Sequence, residues 1–132
     1  MERQTKVVDA SVAVKWFVNE HFTEESAELL KRHLANEIVL YAPEIIIYEL
    51  ANALRYKNLN SEDIAKSVQD LIEFQIHLER PTETLIKRAA ELSIRYKISM
   101  YDGFYAALAD LLGTKLVTFD KELLKIPFSE KL

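Results

Sequence analysis

Val7-Val8-Asp9-Ala10-Ser11, running on into Val12-Ala13-Val14 and Trp16-Phe17-Val18, is the stretch whose reading decides the fold. An apolar pair meets an acid, a small residue and a hydroxyl, and an apolar run follows. The pattern predicts a buried strand over 5–8 that turns directly into a buried helix over 10–19. Strands covered on both faces read as unbroken apolar runs, as in parallel sheets. Asp9 then sits at the carboxyl end of the strand, where open α/β sheets bind their ligands. Asp is also a good helix N-cap, and that role alone accounts for it equally well.

Outward from this stretch, helices and strands alternate. Thr23 before Glu24 and Glu25 reads as a cap with acids in the first turn, and Ala27, Leu29, Leu30 and Leu34 form a stripe. Residues 37–41 read as a strand ended by Pro43, which suits the first turn of a helix. Ile45, Ile46, Glu49, Asn52 and Ala53 continue at helical spacing. Asn60 and Ser61 cap a helix with Ile64, Val68, Leu71 and Ile72 as its stripe. Residues 75–79 read as a third strand, and Pro81 opens a helix carrying Leu85, Ala89, Leu92 and Tyr96. Ser99 caps the next helix, which stops at Gly113. Residues 115–118 form a strand, Asp120 opens a short helix through Leu124, and 126–128 add an edge strand, where proline is tolerated. This alternation implies right-handed βαβ units and a parallel sheet of four to five strands with helices on both faces.

The 132 residues make one domain, 1–132, with 49% apolar residues, enough for a real core. A net charge of −4 argues against a protein that coats nucleic acid with a basic surface. It leaves room for an enzyme that meets phosphate through bound cations. The chain has no cysteine, which excludes thiol catalysis, thiolate metal sites and disulfides. The start carries no apolar signal region, and no stretch reaches the roughly 18 uncharged apolar residues of a membrane helix. A cytoplasmic protein is expected.

Four acids stand out. Glu49 has Ile45, Ile46, Asn52 and Ala53 as its helical neighbours. An acid on an inward face is costly unless paired or bound to a cation. The plain alternative is an ion pair with Lys15 or Arg55. Asp102 follows Ser99 in a capping pattern, and Asp120 also fits a cap. Helix starts that follow strands share one rim of a parallel sheet. Carboxylates gathered there repel one another unless cations lie between them, and oxygen-only ligands suit Mg²⁺ or Mn²⁺.

At these residues the chain resembles the PIN-domain ribonucleases, and among them the toxin subunits of VapBC toxin–antitoxin pairs. The resemblance rests on Val7-Val8-Asp9-Ala10-Ser11-Val12-Ala13-Val14-Lys15-Trp16, on Ala42-Pro43-Glu44 with Tyr48-Glu49-Leu50-Ala51-Asn52-Ala53-Leu54, on Tyr101-Asp102-Gly103-Phe104-Tyr105-Ala106-Ala107-Leu108-Ala109, and on Leu116-Val117-Thr118-Phe119-Asp120-Lys121-Glu122-Leu123-Leu124. It spans essentially the whole chain, and four motifs in order are specific. It implies a three-layer α/β/α PIN-like fold. It also implies a metal-dependent endoribonuclease, the toxin of a type II toxin–antitoxin system, in which Asp9, Glu49, Asp102 and Asp120 are catalytic and hold Mg²⁺ or Mn²⁺. The partners it implies are an RNA substrate, a cognate antitoxin and a second copy in a homodimer. Gly103 departs from the alanine common at that place.

Ser11 and Thr118 are candidates to hydrogen-bond the acids or a metal-bound water, or else only local backbone. Asn52, one turn past Glu49, is a candidate to orient it or to meet a phosphate, and Lys15 and Arg55 are candidate phosphate contacts. Asp110 and Glu44 read as solvent-facing acids. His21, His33 and His77 lack ligand spacing, and Trp16 and the tyrosines read as core. A receiver domain would need an acidic pair after the first strand and a lysine after the last. A nucleotide-binding domain would need a glycine-rich loop, which two scattered glycines cannot supply. The alternative from a binding class is a non-catalytic PIN-like scaffold for RNA or protein.

Overall fold

The computed structural model describes residues 3–132. In chain order the elements are β1 (Gln4–Val8), α1 (Ala10–Ala13), α2 (Thr23–Leu34), β2 (Ile38–Pro43), α3 (Ile46–Tyr56), α4 (Ser61–Glu73), β3 (His77–Glu79), α5 (Glu83–Tyr96), α6 (Met100–Leu112), β4 (Lys115–Val117) and β5 (Ser129–Glu130), with 3₁₀ turns at Val14–Trp16 and Leu123–Lys125. The strands form one sheet in the order β3-β2-β1-β4-β5, and every neighbouring pair is parallel. β1 is central, with Val7 opposite both Tyr41 of β2 and Leu116 of β4.

The chain steps outward from β1 to β2 to β3 and then crosses back to β4. Right-handed crossovers therefore place α1–α4 on one face and α5 and α6 on the other. Val7, Val8, Leu40, Ala42, Leu116 and Val117 are buried along the sheet. Ile46, Leu50 and Leu54 of α3, a four-residue repeat, cover one face, and Tyr105, Ala106 and Ala109 of α6 cover the other.

The caps expected at Asn60 and Ser99 are present. Asn60 accepts from the Asp63 amide at 2.8 Å and Ser99 from the Asp102 amide at 3.0 Å. α5 opens at Glu83 and not at Pro81, with Thr82 as its cap, accepting from the Leu85 amide at 3.1 Å. Gly113 ends α6 with a left-handed φ of 65°.

Several boundaries differ from expectation. The first helix does not reach residue 19. It tightens into the 3₁₀ turn after Ala13, and the chain then swings so that Phe17 stacks on Phe74 and the Trp16 ring donates to the Ser26 carbonyl. Thr23 is not a cap. Phe22, in left-handed backbone, holds that position, while Thr23 Oγ1 donates to Val18 and accepts from the Glu20 amide. Pro43 is the last residue of β2, not the first turn of a helix. The pairing with β3 is carried on by the next amide, that of Glu44, which donates to the Glu79 carbonyl at 2.9 Å, and proline is tolerated at this strand end. The edge strand is Ser129–Glu130 instead of 126–128, because Ile126 turns inward to be buried.

His33 is a core residue. Its Nδ1 accepts from the Leu40 amide at 3.1 Å, and its Nε2 lies 2.9 Å from the Phe74 carbonyl. On α4 only Leu71 is fully buried, while Ile72 is exposed. Among the described residues no helix is long and apolar enough to cross a membrane.

Candidate active site

The carboxyl ends of β1, β2 and β4 open onto a cavity of about 500 Å³ lined by Asp9, Glu49, Asp102 and Asp120, together with Ser11 and Asn52. Asp9 follows β1 directly, Glu49 lies in the first turn of α3, and Asp120 lies three residues past β4. Asp102 arrives differently. Its helix follows another helix, and it reaches the rim because α6 must run back across the sheet to the start of β4. So the shared-rim argument holds for three acids through the strands that precede them, and for the fourth through the strand that follows.

Asp9 is the most deeply placed, only 4% exposed. Ser11 Oγ donates to one carboxylate oxygen at 2.6 Å and Thr118 Oγ1 to the other at 2.7 Å. Each hydroxyl is itself oriented by backbone, since Ser11 accepts from the Phe119 amide and Thr118 from the Asp120 amide, both at 2.9 Å. The same carboxylate caps α1 through the Val12 amide. The cap and the site are therefore one arrangement, and the two hydroxyls serve local backbone and the acid together. Burial pushes the Asp9 carboxyl up to about 7, against the opposing pull of the two hydroxyls.

Asp102 is pushed up to about 6 by burial and then by the charges of Asp120 and Glu49. Ser99 caps its amide while its carboxylate lines the cavity. Glu49 accepts a hydrogen bond from the phenol of Tyr105 at 2.5 Å. Burial and the adjacent Glu49 carboxylate hold that phenol protonated, far above its usual range. Asp120 accepts from the Glu122 amide at 2.8 Å. The donor set is all oxygen, with no Lys, Arg or His among the residues that line the cavity. That chemistry suits a hard divalent cation. Among the described residues no three or more His, Asp or Glu already stand in a metal-holding cluster, so the acids share a cavity without yet meeting at one point.

The profile of the PIN domain family matches residues 6–129, nearly the full chain. The chain belongs to the PIN-domain family. Ribonuclease VapC3 of Pyrobaculum aerophilum is 30% identical over 122 residues, covering 89% of this chain and 90% of that protein. Ribonuclease VapC1 of Mycobacterium tuberculosis is 30% identical over 125 residues, covering 92% and 90%. Among solved structures, the M. tuberculosis toxin VapC20, which cleaves the sarcin–ricin loop, superposes with a TM-score of 0.74 at 17% identity, covering 93% of this chain and 95% of that one. A toxin–antitoxin complex from Klebsiella pneumoniae gives 0.73 at 15% identity, covering 95% of each chain. These structural likenesses speak for the fold.

Within this PIN domain the predicted residues separate into two groups. The four acids, Ser11 and Asn52 line the cavity, and Thr118 supports it from beneath. Lys15 and Arg55 do not line it. Lys15 pairs with Glu20 at 3.1 Å and lies over the Phe119 ring, and Arg55 lies against the Tyr56 ring. Neither pairs with Glu49, whose partner is Tyr105. Asp110 is held by Arg88 at 2.6 Å and ties α6 to α5.

Sequence reasoning missed Tyr105 as the partner of Glu49. It also placed the tyrosines in the core, whereas Tyr48 and Tyr101 are 68% and 60% exposed at the cavity's edge. The signal was available. On α3 the repeat Ile46, Leu50, Leu54 turns Tyr48 outward, and Tyr105 lies one turn beyond Tyr101 on α6.

Proposed function

We propose that this chain is a metal-dependent endoribonuclease that hydrolyses RNA phosphodiester bonds and serves as the toxin of a type II toxin–antitoxin pair in the cytoplasm. The observation that carries the reading is the gathering of Asp9, Glu49, Asp102 and Asp120 on one cavity from four separate points of the chain. Each backbone-anchored hydroxyl on Asp9 fixes its carboxylate, and Tyr105 fixes Glu49. The family match and the ribonuclease relatives support the same reading.

In this reading the four acids hold Mg²⁺ or Mn²⁺. Such an ion supplies activation of water and stabilisation of charge developing on a phosphodiester. The protein's own part is to present carboxylates in fixed orientation in a half-buried cavity, where electrostatic interactions outweigh their strength in water. The raised carboxyls of Asp9 and Asp102 suit this role, because a cation compensates the charge that burial disfavours. Asn52, which lines the same cavity, orients Glu49 or meets a phosphate in this reading. A cognate antitoxin covers the cavity in the resting pair.

Cleavage of RNA by purified protein is the test. Parent protein with Mn²⁺ should cut, and EDTA should stop it. Asp9→Asn, Glu49→Gln and Asp102→Asn should each lose roughly 10²-fold or more of the rate while keeping the folded circular dichroism spectrum. Full cleavage by Asp9→Asn removes the assignment, and cleavage that resists EDTA removes the metal. The same reading includes a homodimer. Light scattering at tens of micromolar should return twice the 15.3 kDa chain mass, and a strictly monomeric mass contradicts that part.

A further inference from the structure

Two exposed tyrosines stand at the cavity, each directly before a site acid in sequence: Tyr48 before Glu49 and Tyr101 before Asp102. Large side chains at 68% and 60% exposure keep most of their ring surface in water. Scattered exposed apolar residues need no explanation, but these two border the one concave surface that carries the acids. The cavity offers nothing basic to a polyanion. No Lys or Arg lines it. Lys15, whose ammonium lies over the Phe119 ring, is engaged by Glu20. Phosphate contacts by basic side chains ordinarily supply much of nucleic-acid affinity, and here they are missing from the site. The other large source is stacking of unpaired bases on aromatic rings, which any base satisfies.

We infer that Tyr48 and Tyr101 are substrate-positioning residues that stack unpaired bases flanking the scissile phosphate, so that the site takes single-stranded RNA by its bases more than by its phosphates. The inference rests on the nuclease reading above. Stacking on one ring contributes roughly five- to hundredfold in affinity, and loss of either ring should fall within that range.

The test is fluorescence anisotropy of a labelled random-sequence RNA 12-mer, and of an abasic ribose–phosphate 12-mer of equal charge, both in Ca²⁺. The proteins are the parent and Tyr48→Ala, Tyr48→Phe, Tyr101→Ala and Tyr101→Phe. Both side chains are exposed, so the folded spectrum should be unchanged. The expected result is about tenfold weaker RNA binding by each Ala variant, recovery by each Phe variant, and weak abasic binding that ignores all four substitutions. Equal binding of the two 12-mers by the parent, or Ala variants that bind RNA as the parent does, overturns the inference and leaves the rings to a protein that covers the site. Cleavage of RNA by the parent in Mn²⁺ is measured alongside. Cleavage with tyrosine-indifferent binding ends the stacking inference alone, whereas a parent that neither binds nor cuts RNA ends the nuclease reading and this one with it.

Discussion

Asp9 shows how much one residue carries. It ends the central strand, caps α1 and receives two hydroxyls, yet its carboxyl is pushed up to about 7 by burial. A carboxyl raised in the folded state binds more protons folded than unfolded. Its contribution to stability is complete below the unfolded value near 3.8 and is lost as pH rises through about 7. Metal-free protein should therefore lose stability between pH 4 and pH 7 on this account, the opposite of the usual ion-paired carboxylate. Asp9→Asn removes the titration. At pH 8 in EDTA it should be more stable than the parent by about 2–4 kcal/mol, read as a higher melting temperature. A lower one means that the charged acid is a stabilising cap and nothing more. The role of Asp9 was legible from its place after an apolar run. Its partners were only half legible. Ser11 lies two residues away, but Thr118 comes from a strand whose neighbour only the sheet order reveals.

At the scale of elements, the α5–α6 packing explains Gly103, which departs from the pattern of the family the chain resembles. A Cβ built on Gly103 would lie 2.7 Å from the Ala89 carbonyl oxygen and 3.4 Å from Ser93 Cβ. The first of these is backbone, so α5 must shift to admit it. Gly103→Ala should then destabilise by roughly 1–3 kcal/mol despite the better helix propensity of alanine. A denaturant midpoint equal to or above the parent's contradicts the close approach. Because Asp102 is the preceding residue, the shift should also weaken activity. Helix starts with side-chain caps, such as Asn60 and Ser99, were readable because the capping hydrogen bond is local. The end of the first helix was not. Its apolar run continues through Val18, and the break follows from where Trp16 and Phe17 find partners on Ser26 and Phe74. Tyr48, by contrast, was legible as an outward residue, because the apolar repeat Ile46, Leu50, Leu54 marks the side of α3 that the sheet occupies.

For the whole molecule, a parallel sheet with β1 at its centre gathers the ends of three strands on one rim, and α6 returns a fourth acid to the same place. That architecture brings like charges together at a cost in stability, which a cation bound only by the folded state repays. At a hundredfold excess over its dissociation constant, binding adds about 2.7 kcal/mol, or roughly 10 °C in melting temperature for a domain of this size. The measurement that bears most directly on the central claim is a set of four melting curves near pH 7.5, parent and Asp9→Asn, each in EDTA and in Mn²⁺. The account predicts a rise of that order on adding Mn²⁺ to the parent and a much smaller one for Asp9→Asn. No shift in the parent, or an equal shift in both proteins, would mean that the four acids do not form a metal site.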